Sequence, residues 1–285
     1  MRISIITPSF KSLSWLKLCA PSIADQGVEL EHIVQDSCSP DGTGEWLSTQ
    51  PGIKAFIEKD RGMYDAVNRG YQKARGEIVA YLNCDEQYLP GALKAVLDYF
   101  DRNPEVEVAF ADAVVVDPKG GYLCHRQALV PHRAHSMVSN NLAILTCATF
   151  LRRSLLEKRG LYFNADLKDV GDADWVCRLV DQGVRMGLMN FLTSAFTDTG
   201  ENMNLRPNAI REKAEMAKRA PTWAQKLRLA LILQHRIRRL AAGHYSSGPF
   251  SYSIYTSASP DRRVEHRVSS PTARWIRYTP ELQAS

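Results

Sequence analysis

Along the first 116 residues, short unbroken apolar runs alternate with stretches whose apolar positions recur every three or four residues. The runs "ISIIT" (3–7), "EHIVQ" (31–35), "IKAFIE" (53–58), "IVAYL" (78–82) and "VEVAFADAVVV" (106–116) read as strands. The periodic stretches 13–24, 64–74 and 91–102 read as helices. Strand and helix alternating at this pitch predict an α/β fold with a mostly parallel, twisted sheet. Strands that are apolar at every position predict helices on both of its faces. Beyond Asp117 the rhythm changes: "PKGG" marks a turn, "YLCHRQALV" returns as an antiparallel strand, a helix covers about Asp172 to Gln182, and "RMGLMNFL" (185–192) is a short apolar segment. Residues 208–242 read as one or two basic amphipathic helices broken at Pro221, and from Gly243 onward no period is discernible. The expected division is a domain over 1–205 and a helical and irregular extension over 206–285.

In an open parallel sheet, ligands gather at the carboxyl ends of the strands, where loops converge and helix N-termini present backbone N–H groups. The first strand is followed by Thr7-Pro8-Ser9-Phe10 and the second by the run from Asp36 to Thr43. The third is followed by the run from Lys59 to Asp65, and the fourth by Asn83-Cys84-Asp85-Glu86. Any one of these endings is ordinary turn chemistry. Four on one rim predict a polar, acidic crevice, sharpest where "GEIVAYLNCDE" ends a buried strand on two carboxylates.

Taken in order, "TPSF", "HIVQDSCSPDGT", "EKDRGMYDAVNRG", "GEIVAYLNCDE" and "GDADWVCRL" resemble the blocks of glycosyltransferase family 2, inverting enzymes of the GT-A fold, over roughly residues 1–205. The resemblance implies transfer of a sugar, of hexosyl type, from a nucleoside-diphosphate sugar to a hydroxyl of a glycan or lipid-linked acceptor, as in polysaccharide biosynthesis. It implies a donor site made by Thr7, Pro8, Phe10, Asp36, Asp60, Gly62, Asp65, Asn68, Asn83, Cys84 and Asp85, with Asp36 accepting from a nucleobase N–H. Asp85 matches the metal-binding carboxylate of a DxD-like motif whose first position is Asn83. A Mn2+ or Mg2+ held there would offset the diphosphate charge as the bond to the sugar breaks. Asp172 matches the catalytic base that takes the acceptor hydroxyl's proton. Asp174 diverges from it by about 200° on a helix, so only one of the two faces the cleft. The chain departs from the family pattern at Glu86, where a second aspartate is common, at Ser37-Cys38 in a glycine-rich block, and at Gly171, where an acidic residue is common. The Asn83 and Gly171 departures keep open a catalytically inactive sugar-nucleotide-binding or scaffold protein on the same fold.

Composition changes this picture little. At 45% hydrophobic and 24% charged residues the chain is of ordinary globular type. Six cysteines without a C-x-x-C pair predict reduced thiols, and His125, His132 and His135 are too loosely spaced to be given a metal role. No G-x-G-x-x-G follows the first strand, which disfavours a dinucleotide-dependent oxidoreductase. The apolar opening is too short for a signal peptide and no run approaches about 18 apolar residues, so a cytoplasmic protein is expected. Charge matters more. The net +5 is concentrated between Arg206 and Leu240, where ten Lys and Arg face only Glu212 and Glu215. Residues 208–242 are expected to meet an anionic membrane surface, at the inner face of the plasma membrane. A solvated helix pair or a dimer contact is the alternative. Nucleic acid is not expected, because the crevice is acidic.

Overall fold

The computed structural model describes residues 1–139, 142–200 and 206–278. The residues just before the expected boundary at 205, and those after 278, lie outside it. Strands β1 (Ile3–Ser9), β2 (Leu30–Asp36), β3 (Ile53–Ile57) and β4 (Ile78–Tyr81) run parallel in the order β3-β2-β1-β4. Helices α1 (Leu13–Ala24), α2 (Thr43–Ser48) and α3 (Met63–Lys73) make the crossovers. Register places Ser9 beside Asp36 and Asp36 beside Ile57, so the polar endings after these strands share one rim.

Beyond β4 the sheet is mixed, so the parallel expectation holds for its first half only. The remaining strands are β5 (Glu86–Tyr88), β6 (Val108–Val116), β7 (Tyr122–Arg126), β8 (Thr149–Arg152) and β9 (Met186–Thr197). β8 lies antiparallel between β4 and β6, β9 lies parallel to β6, and β5 runs antiparallel to β9. The turn after Val116 forces β7 antiparallel onto β6, because so short a connection cannot cross over. β9 runs past the apolar segment expected to end at 192. Its continuation through Thr193 and Ser194 is polar yet fully buried, and the Ser194 hydroxyl donates to the Cys147 carbonyl at 2.6 Å.

Alternation along the strands divides the core in two. On one face α3, α6 (Arg153–Arg159) and α7 (Gly171–Asp181) set Val67, Tyr71, Leu155, Trp175 and Leu179 against Ile6, Val79 and Phe110. On the other, α1 and α4 (Ala92–Arg102) set Cys19, Ile23, Leu93, Val96 and Phe100 against Ile3, Ile5, Ile78 and Phe150. α3 comes so near β1 that a Cβ at Gly70 would sit 2.4 Å from Ile6, which is why glycine stands there.

Helices α5 (Arg133–Val138), α8 (Pro207–Arg219), α9 (Thr222–Lys226) and α10 (Arg228–Ala241) pack together through Ala134, Met137, Ala220, Ala224 and Leu231 and reach Cys177 of α7. The chain breaks at Pro221 as expected, and again at Leu227. The irregular reading of the stretch after Gly243 is corrected by a hairpin, β10 (Phe250–Thr256) and β11 (Ser259–Val268). Its second strand, "SPDRRVEHRV", buries only Val268 and leaves half of its residues exposed, so no apolar run marked it. Tyr252, Ile254 and Val268 seat the hairpin on Val114, Val116 and Leu89. Arg263 adds two bonds to the Asp25 carboxylate, at 2.6 and 2.7 Å, and one each to the carbonyls of Tyr88, Ser253 and Ser22.

Candidate active site

A cavity of about 840 Å³ opens where the parallel strands end, within the size range of small-molecule sites. Pro8, Phe10, Asp60, Gly62, Asn83, Cys84 and Asp85 line it, and so does Asp172. Thr7, Asp36, Asp65 and Asn68, expected at the donor, are built into the structure behind this wall. Thr7 Oγ1 bonds His32 Nε2 at 2.9 Å. Asp36 is fully buried and accepts from the Ser39 N–H at 2.8 Å and the Ser39 hydroxyl at 2.6 Å. Asp65 accepts from the Arg61 N–H at 3.0 Å and pairs with Arg69 at 3.0 Å. Asn68 clamps the backbone of Phe163 at both ends, at 2.8 and 2.9 Å. Short polar side chains at strand ends brace loops as readily as they face ligands, so sequence alone cannot separate the two roles. The Asp36 brace holds a loop in which Cys38 adopts φ 55°, the left-handed conformation that suits the glycine of the resembled pattern.

After β4 the chain makes a turn closed from both sides. The Glu86 N–H donates to the Asn83 carbonyl at 3.1 Å, and the Asn83 N–H donates to Glu86 Oε2 at 2.8 Å. At the corner, the Cys84 thiol donates inward to the Pro8 carbonyl at 3.3 Å, while Asp85 lines the cavity. Burial pushes both carboxyls above their ordinary range, Glu86 further because the Asp85 charge adds to it. Glu86 Oε1 has no hydrogen-bond partner, and neither carboxylate has an ion pair among the described residues. Half-buried Asp85 and buried Glu86 are thus two carboxylates without a counter-ion, and no group of three or more His, Cys, Asp or Glu side chains that could hold a metal ion occurs among the described residues.

Asp172 occupies the first turn of α7. Its Oδ1 accepts from the Ala173 N–H at 2.8 Å, and its own N–H donates to the Tyr64 hydroxyl at 3.2 Å. Burial raises its pKa to about 6. Tyr64 also explains Gly171, since a Cβ there would lie 2.6 Å from the tyrosine ring. Asp174 bonds Arg178 at 2.8 Å and is not among the cavity residues. Trp175 is a core residue, 1% exposed, with its indole N–H on the Leu161 carbonyl at 2.7 Å.

Sequence reasoning missed five residues that shape this site. Glu212 of α8 accepts the N–H groups of Lys168, Asp169 and Val170 at 2.9, 3.0 and 3.1 Å, fixing the loop that delivers Asp172. Lys213, Arg126, Trp275 and Arg277 line the cavity itself. A signal existed for Glu212, which is one of two acids set among ten basic residues. For Trp275 and Arg277, in an aperiodic tail, there was none.

The sequence profile of glycosyl transferase family 2 matches residues 4–160, more than half of the chain. A teichuronic acid biosynthesis glycosyltransferase from Bacillus subtilis is 29% identical over 103 residues, covering 34% of this chain and 41% of that protein, so the chain spans about two fifths of that relative's length. Residues 1–349 of TarS from S. aureus, in complex with UDP-GlcNAc, superpose with a TM-score of 0.61 at 18% identity, over 85% of this chain and 73% of that one. A mannosyltransferase from Pyrobaculum calidifontis, in complex with GDP-Man and Mn2+, gives 0.54 at 20% identity, over 86% and 81%. Likeness at this identity speaks for the fold, and the profile match speaks for descent: the chain belongs to glycosyl transferase family 2, on a GT-A type fold.

Proposed function

We propose that the protein transfers a sugar, with inversion at the anomeric carbon, from a nucleoside-diphosphate sugar to a hydroxyl of a glycan or lipid-linked acceptor. The observation that carries this reading is the meeting, in one cavity, of the Asp85 turn without a counter-ion and Asp172 with its raised pKa. The nucleotide would lie along Pro8, Phe10, Ser37, Asp60 and Gly62, with Thr7, Asp36, Asp65 and Asn68 holding the loops that present them. Asp85 would hold a Mn2+ or Mg2+, which when bound neutralises charge on the departing diphosphate. Asp172 has Oδ1 tied to Ala173. That leaves Oδ2 to take the acceptor hydroxyl's proton as the new bond forms. The neighbours that hold UDP-GlcNAc and GDP-Man support the donor class without choosing the base.

Attachment at a membrane surface belongs to the same reading. Leu229, Leu233, Ile237 and Leu240 are exposed by 79%, 57%, 56% and 66%. At this spacing they form one stripe on the side of α10 opposite buried Leu231, His235 and Arg239, with exposed Lys226 and Arg236 beside it. No helix among the described residues is long and apolar enough to cross a membrane. The stripe and its basic flanks would therefore lie in the plane of an anionic surface.

The test is release of nucleoside diphosphate from a panel of UDP-, GDP- and dTDP-sugars with Mn2+ present. Release that Asp172→Asn abolishes is the expected result. Binding of a nucleoside diphosphate without release or transfer from any donor identifies the inactive sugar-nucleotide binder. Absence of nucleotide binding overturns both readings.

A further inference from the structure

One part of the cavity wall is cationic. It consists of Arg126, the last residue of β7, with Trp275 and Arg277 from the segment after β11. The Arg277 guanidinium stands 3.8 Å from the centre of the Trp275 ring and that of Arg126 stands 5.9 Å from it. Asp198, fully buried, anchors this segment: it accepts from the Trp275 indole N–H at 2.7 Å and the Tyr278 N–H at 3.3 Å, and lies 3.8 Å from Arg277. Phe196 packs edge-on against the indole at 5.5 Å.

Arg126 has no such anchor. No hydrogen bond or ion pair reaches its guanidinium among the described residues. Burial, with Arg239 and Arg277 nearby, lowers its pKa to about 10, which leaves it charged at neutral pH. Behind it Arg239 is only 7% exposed, and its Nε and Nη2 atoms have no partner either. A half-buried guanidinium without a counter-ion at the wall of a cavity, with a buried one behind it, favours any anion that can enter. The direction of the site follows from Lys213, which lies within charge range of both Asp172 and Arg277. The cationic wall is thus linked to the proposed base, and the uncompensated carboxylates belong to the strand-end turn.

We propose that Arg126 and Arg277, with the Trp275 ring beside both, form an anion subsite for the acceptor, which is a saccharide bearing a phosphate or carboxylate near the hydroxyl that reacts. The planar guanidinium matches either group with two parallel hydrogen bonds, and the indole offers an apolar face to the sugar ring. The word acceptor rests on the transfer reading above; the anion subsite does not.

Binding of four small sugars to the full chain tests this by ligand-observed NMR. They are neutral methyl β-glucoside, methyl β-glucuronide, glucose 6-phosphate and glucose 1-phosphate. At least one anionic sugar is expected to bind tenfold or more tightly than the glucoside, with Arg126→Gln erasing the difference and Arg126→Lys keeping part of it. UDP and GDP affinities are expected to change less than twofold in these variants. Because Arg126 makes no bond that the fold needs, Arg126→Gln should melt at or above the temperature of the parent. Which sugar leads tells the source apart: the glucuronide points to a uronate glycan, the 6-phosphate to a phosphate-bearing glycan, and the 1-phosphate to a phosphate-linked lipid carrier. Equal binding of all four sugars overturns the proposal. So does an Arg126→Gln variant that weakens UDP or GDP as much as it weakens the sugar, which would put the arginines on the donor diphosphate. A parent protein that binds no nucleoside diphosphate sinks the transfer reading alone.

Discussion

Burial lifts Asp172 to about 6, and that fixes the direction of a pH dependence. A base must be unprotonated, so turnover should hold above pH 6 and fall about tenfold per unit below it. Asp172→Asn is expected to lower turnover by about 10² or more, remove the acid limb, and leave nucleoside diphosphate affinity nearly unchanged. An acid limb that survives in this variant, or one that Asp174→Asn removes instead, assigns the base elsewhere. Burial raises Asp85 as well, and its charge lies beside Glu86, whose Oε1 has no hydrogen-bond partner. Asp85→Asn should therefore raise the melting temperature without metal while abolishing the further rise that Mn2+ brings. A variant that still responds to Mn2+ in a thermal scan would place the cation on other ligands. That both line one cavity was legible, because each sits at a strand or helix end within a recognisable block. Asp36 and Asp65, read from the same blocks, accept backbone N–H groups of their own loops, and nothing in a linear pattern distinguishes a carboxylate facing solvent from one facing the next turn's N–H groups.

Helix α8 carries the part of the site that the helical pattern concealed. Glu212, 6% exposed, gathers three N–H groups from the loop entering α7. Glu212→Ala would leave those donors unpaired, at about 1–3 kcal/mol of stability, and would let Asp172 drift. Turnover should fall with little change in donor affinity, and Glu212→Gln, which keeps an acceptor oxygen, should recover part of it. Equal losses in both variants would mean that charge, not position, is what Glu212 supplies. α10 invites a different measurement, since its outer stripe is exposed. Leu233→Ser with Ile237→Ser is expected to abolish co-flotation with phosphatidylglycerol vesicles at low salt while leaving the melting temperature within a degree or two. Parent protein that fails to float, or that elutes as a dimer which the double variant dissociates, makes the stripe a protein contact instead.

Across the whole molecule, the first half of the fold was readable because parallel strands buried on both faces must be written as apolar runs. The second half was not, because β9 buries Thr193 and Ser194 and β11 buries only Val268 and leaves half of its residues exposed. The expected division at 205 rests on the change of rhythm along the chain. Contacts across it are numerous and specific: Glu212 holds the α7 loop, Gln87 exchanges two hydrogen bonds with Tyr255 at 2.8 Å each, and Arg263 ties β11 to Asp25 and Tyr88. If these contacts couple the two stretches, the chain unfolds as one unit. Thermal unfolding followed by far-ultraviolet and tryptophan signals should then give coincident transitions. Arg263→Ala, which strips charge-assisted bonds from Asp25 and three carbonyls, should cost about 2–3 kcal/mol and move both signals together. Two separated transitions, with Arg263→Ala shifting only the first, would show instead that 206–285 melts off an intact domain and that the cavity loses Trp275 and Arg277 before it loses Asp172.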